Sequence, residues 1–273
     1  MSIITVIFHR RIDSVSYLLS LYSALILIQA VLIMLKDKGG AYRLAHDLIF
    51  PLISIAAVFD SLGYIVHYIN PIDIDPLLIR LDYRLFNGYP TVMLERFISP
   101  LLTDVMQAAY SGYYFLPFAL GIALKIRKDD SAAFDYSLFL IMFCFYLSYT
   151  GYMLMPALGP RYTMNHLQSM ELDGLFITQP VQWLLNRLEG IKRDAFPSGH
   201  TGIALTVLYL SFRFEKRLFL IFLPVVTALI FSTVYCRYHY VVDIIGGIFL
   251  SVITILMGNM YYGYWTKKNN INN

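Results

Sequence analysis

Long apolar runs separated by polar segments make up most of this chain. Seven such runs, at residues 15–35, 48–69, 105–124, 134–154, 199–212, 218–235 and 241–262, stand against the about 20 residues that a membrane helix needs. The fifth is the shortest, so the pattern predicts six to seven spans. Helices are expected, because an open sheet cannot satisfy its backbone in lipid. The predicted fold is all-α: a polytopic transmembrane helical bundle forming a single transmembrane domain over 1–273. The first run lacks a small-residue cleavage site behind it and is expected to stay as an anchor.

The connections differ in length. Residues 70–104 and 155–198 form two long ones, and 125–131 and 213–217 two tight ones. With seven spans, both long connections, the amino terminus and the turn around Arg237 share one face. The other face receives Lys36, Lys38, Arg43, Lys125, Arg127, Lys128, Arg213, Lys216, Arg217, Lys267 and Lys268, about half of the 21 basic residues, in short segments. Short basic loops mark the cytoplasmic side, which puts the long connections on the extracytoplasmic one. The segment 70–104 mixes charges and apolar residues at helical spacing. It is expected to be an amphipathic connector lying in the interface between spans two and three, either packed on the bundle or serving as a lid. The polar tail 267–273 is expected to be disordered.

Composition agrees: 58% hydrophobic and 14% charged residues are far from the roughly 25% charged of a soluble domain. Tyrosine and phenylalanine, 22 and 19 copies, suit rings seated at membrane interfaces. A net charge of +3 gives no reason to expect nucleic acid as a partner. Cys144 and Cys236 alone make neither a disulfide framework nor a zinc site, and no carboxylate cluster suggests Mg²⁺.

Candidate chemistry concentrates in the second half, in a catalytic core of about 134–262. The string Asp194-Ala195-Phe196-Pro197-Ser198-Gly199-His200-Thr201 opens the fifth run. A helix start there offers free N–H groups and a positive dipole to phosphate oxygens, and His200 in the first turn is suited to protonate a leaving alkoxide. An ordinary helix cap with an incidental histidine has the same appearance. In Tyr235-Cys236-Arg237-Tyr238-His239-Tyr240-Val241-Val242-Asp243, His239 and Asp243 are four apart on one helical face. A carboxylate there can orient an imidazole so that its other nitrogen attacks; a pair that merely joins two helices would have the same spacing. In Met155-Pro156-Ala157-Leu158-Gly159-Pro160-Arg161-Tyr162, glycine and two prolines hold Arg161 at the interface. Its guanidinium is suited to a phosphoryl group, or to simple interfacial anchoring.

Together these three strings resemble the type-2 phosphatidic acid phosphatase superfamily, whose pattern is Lys-x6-Arg-Pro, Pro-Ser-Gly-His and Ser-Arg-x5-His-x3-Asp. Pro197, Ser198, Gly199 and His200 match the second motif, and His239 and Asp243 match the third, within a resemblance that covers about 152–249. The first motif departs: Leu154 stands at its lysine and Tyr162 at its proline, and in the third Thr233 stands at the arginine. Lys192, Arg193 and Arg237 are the candidates to supply the missing charge.

The resemblance implies a cofactor-free, metal-independent lipid-phosphate phosphohydrolase working through a phosphohistidine on His239. Asp243 would orient it, His200 would be the acid, and Arg161, Ser198 and the Gly199 backbone would hold phosphate oxygens. The substrate would be a lipid phosphate or phospholipid. Leu154 and the string 157–162 are also similar to inositol phosphorylceramide and sphingomyelin synthases, which implies the alternative of a lipid phosphotransferase. A membrane transporter is a further alternative, since Asp60 and His67 within the second run could mark a permeation path or simply pack helices.

Overall fold

The computed structural model describes residues 1–127, 131–188 and 191–271; Lys128, one of the residues used to orient the chain, lies outside them. Every regular element among the described residues is helical. The chain divides into two compact units, residues 1–72 and 73–273.

The first unit holds α1 (Val15–Leu35) and α2 (Phe50–Leu62). Hydroxyl groups of Tyr22 on α1 and Ser61 on α2 hydrogen-bond at 2.8 Å, both buried. Asp60 and His67 are exposed on this unit.

The second unit contains α3 (Asp75–Phe86), α4 (Pro100–Ser111), α5 (Leu116–Arg127), α6 (Ser131–Leu154), α7 (Thr178–Leu188), α8 (Gly199–Phe214), α9 (Lys216–Tyr235) and α10 (Val241–Ile271). The central helix is α8, which packs on α6, α9 and α10. Its Ile203, Val207 and Leu210 meet Leu140 of α6, Leu229 of α9 and Leu250 of α10 in one buried cluster. Small residues permit the close approach, as in membrane helix pairs generally. A Cβ on Gly247 of α10 would stand 2.6 Å from the Ser198 carbonyl oxygen, and Thr206 and Ser251 hydroxyl groups meet across the α8–α10 seam at 3.1 Å.

Among the described residues five helices are long and apolar enough to cross a membrane: Val15–Lys38, Gly40–Leu62, Ala132–Leu154, Lys216–Tyr235 and Val241–Trp265. This corrects the expected six to seven spans, and the differences have local causes. The run 105–124 is not one helix: α4 stops at Ser111, a 3-10 turn covers Gly112–Tyr114, and α5 begins at Leu116. Run 199–212 forms α8, whose 16 residues reach about 24 Å against about 30 Å of hydrocarbon. Its small and hydroxylated residues face neighbouring helices. The last helix continues to Ile271, through most of the tail expected to be disordered.

In the connector 70–104 nothing marks a helix lying in the interface; of the two expected arrangements, packed on the bundle or a lid, the packed one is seen. The helix α3 and the turns after it are docked inward, with Asp75, Asp82, Glu95 and Asp104 all buried. Each carboxylate takes donors from a different segment of the second half of the chain. Asp75 accepts from the backbone N–H groups of Leu158 and Gly159 at 2.9 and 2.8 Å. Asp82 accepts from Val241 and Val242 at 3.0 and 2.9 Å. Glu95 takes the Ser169 N–H and hydroxyl and pairs with Arg237 at 2.9 Å. Asp104 takes the N–H groups of Leu175, Phe176, Ile177 and Thr178 and the Thr178 hydroxyl, closing the amino-terminal end of α7. Periodicity revealed the helix but not its orientation, because the inward stripe carries acids as well as Leu78.

Burial alone would raise the Asp104 carboxyl, but its donors hold it down to about 2. An ordinary unfolded aspartate titrates near about 3.9. Its contribution to stability is therefore complete above that value and is lost as pH falls through about 2. Thermal melting in detergent across pH is expected to show Asp104→Asn less stable than wild type at neutral pH, with the gap closing below about pH 4. A gap independent of pH would contradict this assignment.

Candidate active site

Three backbone hydrogen bonds bring the motif segments to one end of the second unit. Ala195 N–H donates to the Ala157 carbonyl at 3.0 Å, Arg161 N–H to the Arg237 carbonyl at 2.9 Å, and Ser198 N–H to the Asp243 carbonyl at 3.1 Å. Gly159 makes the Arg161 turn possible: its φ is +89°, and a Cβ would lie 2.6 Å from the Tyr238 carbonyl oxygen. At the start of α8, the fully buried Ser198 caps the helix, its Oγ accepting from Thr201 N–H at 3.2 Å. Gly199 lies against the Tyr152 hydroxyl. Ser198 and Gly199 thus build the turn that aims His200.

His239 is 3% exposed. Its Nδ1 lies 2.8 Å from the Ala195 carbonyl oxygen and 3.4 Å from Asp243 Oδ2. Only a protonated Nδ1 can bond a carbonyl, so Nε2 is left with its lone pair. That nitrogen faces His200 Nδ1 at 3.4 Å. The backbone carbonyl is the nearer orienting group and the carboxylate the second. Asp243 is also committed to its own helix, since Oδ2 accepts from Tyr240 N–H at 2.8 Å. The His200 ring is held between Tyr110 and Tyr113, with centroids 4.4 and 4.2 Å away.

A pocket opens over the two histidines, walled by Tyr110, Tyr238, Tyr162, Leu158, Ile191 and Ala195, with Arg161, Lys192 and Asp194 also lining it. Arg161 sits over the Tyr238 ring at 5.6 Å and Lys192 over the Tyr162 ring at 5.4 Å. Among the described residues neither cation is ion-paired. The other two cations expected to replace the missing charge are not brought to the pocket. Arg193 donates to Asp73 at 2.6 and 3.1 Å, and Arg237 is 7% exposed and held by Glu95 and the Met170 carbonyl. Their sequence neighbours line the pocket, but their own side chains are taken up by these partners.

Sequence reasoning gave no role to Asp194, Tyr110 or Tyr238. Asp194 and Tyr238 stand inside the motif strings, whereas Tyr110, one tyrosine among 22, carried no signal. Burial pushes the Asp194 carboxyl up to about 6, with nearby His239 pulling it the other way. Among the described residues no group of three or more His, Cys, Asp or Glu side chains is placed to hold a metal ion.

A family model described as PAP2 superfamily matches residues 77–257, about two thirds of the chain. The chain is also similar to a PA-phosphatase related-family protein of Dictyostelium discoideum, 22% identical over 188 residues; this covers 61% of the chain and 34% of the relative, about a third of its length. No solved structure matches.

Because Asp194 faces the pocket, its ionisation adds a negative charge beside any bound anion. Competition by inorganic phosphate is expected to weaken in wild type relative to Asp194→Asn as pH rises through about 6, and to be similar for the two proteins below it. Parallel pH profiles would remove Asp194 from the pocket's electrostatics.

Proposed function

Since the chain belongs to the PAP2 superfamily, we propose that it is an integral membrane lipid-phosphate phosphohydrolase that works through a phosphohistidine on His239. One observation carries the reading: His239 Nε2 faces His200 Nδ1 at 3.4 Å, at a pocket lined by Arg161 and Lys192, neither ion-paired among the described residues. His239 Nε2 attacks phosphorus, a P–N bond forms as the P–O bond to the lipid breaks, and His200 gives its proton to the departing oxygen. Water then attacks the phosphohistidine, its proton passing to His200, and inorganic phosphate leaves. Asp243 and the Ala195 carbonyl stabilise the positive charge that develops on His239. Arg161 and Lys192 neutralise the phosphoryl oxygens, and such preorganised charge supplies most of the rate in phosphoryl transfer. Ser198 and Gly199 contribute by fixing the start of α8. The reading assigns no metal or cofactor, and the distribution of basic residues favours an extracytoplasmic active end.

Transfer to an alcohol acceptor is the second reading. It is favoured by Leu154, which puts an apolar side chain where the phosphatase motif has lysine.

Phosphate release from a panel of lipid monoesters and diphosphates in detergent is expected to be unaffected by EDTA. His239→Ala and His200→Ala should each lower it by at least about a hundredfold, the scale of a lost nucleophile or general acid. Arg161→Ala should lower the rate and also raise KM about tenfold or more, the worth of a charge-assisted hydrogen bond. Folded protein that releases no phosphate from the panel, yet transfers a head group from a phosphodiester to an alcohol, would establish the second reading. Turnover that survives His239→Ala would end both.

A further inference from the structure

We propose that Asp75 and Asp82, two buried carboxylates on α3 outside every motif, are positioning residues: Asp82 fixes the start of the helix that follows His239, and Asp75 fixes the turn that presents Arg161. This rests on the functional reading above.

The first N–H groups of any helix lack partners within it. At the start of α10 three of them have been given carboxylates. Tyr240 N–H goes to Asp243, and Val241 and Val242 N–H go to Asp82 in a two-oxygen clasp. Both carboxylates lie at the positive end of the helix dipole. Held so, α10 cannot shift along its axis without breaking two bonds, and His239 stands just before it.

Asp75 lies two turns away from Asp82 on the same face of α3 and makes a second two-oxygen clasp, on Leu158 and Gly159. These residues lead directly into Arg161. Asp75 Oδ1 also accepts the Tyr240 hydroxyl at 2.8 Å, and that hydroxyl meets Thr163 Oγ1 at 2.6 Å. A single carboxylate thus joins the turn before Arg161, the helical turn after it, and the residue next to His239. Both aspartates are 2% exposed. A buried carboxylate is costly without full pairing, which argues that each is retained for its particular partners. Neither touches the pocket, so neither is a catalytic residue.

The test uses the full-length protein in detergent. Asp82→Asn keeps the shape but leaves one acceptor oxygen for two N–H groups. Hydrogen exchange measured by mass spectrometry is expected to accelerate over 239–243 and not over α6. Single-turnover phosphoryl transfer to His239 is expected to fall about tenfold to a hundredfold, as for a misplacement near 1 Å, with KM within about twofold of wild type. Asp75→Asn is expected to raise KM as well, because it also releases the Arg161 turn. Asp104→Asn serves as a matched destabilised control, with all variants read well below their melting temperatures. Unchanged exchange over 239–243, or wild-type transfer by folded Asp82→Asn, would overturn the proposal. Failure of the functional reading is seen separately, as wild-type protein without any turnover that His239→Ala abolishes; the exchange measurement then still decides the clasp.

Discussion

Backbone N–H groups at the ends of helices and in tight turns must find acceptors even where water is excluded, and in this protein buried carboxylates supply them. Asp75, Asp82, Glu95 and Asp104 enter from the connector between the first unit and the central helices. Each adds side-chain acceptors to a turn or helix start far away in the chain. Residues 158–178 and the start of α10 receive these acceptors.

The two histidines are positioned in a similar way. His239 is oriented by the Ala195 carbonyl, a backbone group that sequence cannot specify by residue type, and only secondarily by the aspartate four residues on. His200 is fixed by rings of Tyr110 and Tyr113 on either side. The aromatic walls hold the imidazole in one orientation, at a pocket that Arg161 and Lys192 also line. The cations divide accordingly: Arg161 and Lys192 stay available over tyrosine rings, while Arg193 and Arg237 are held by carboxylates and stabilise turns.

Much of the candidate site was legible in the chain because its motifs are residue types at short spacing. Pro197-Ser198-Gly199-His200 and His239-x3-Asp243 are local patterns, and local patterns survive in a sequence read alone. The number of spans was less legible. Hydropathy measures how apolar a run is, and it cannot see the 3-10 turn at Gly112–Tyr114 that divides one run or the neighbours that surround the short α8.

By itself the sequence determined that the protein is a helical membrane protein with histidine, aspartate and arginine gathered near helix ends, because composition and near-neighbour spacing are properties of the chain. Tertiary structure alone decided which cations face the pocket, which acceptor lies nearest His239 Nδ1, and that aspartates about 80 to 165 residues distant in sequence hold the motif-bearing turns. The physical reason is that side-chain direction and long-range hydrogen bonding depend on how helices pack, and a one-dimensional pattern records the residue without the direction in which it points.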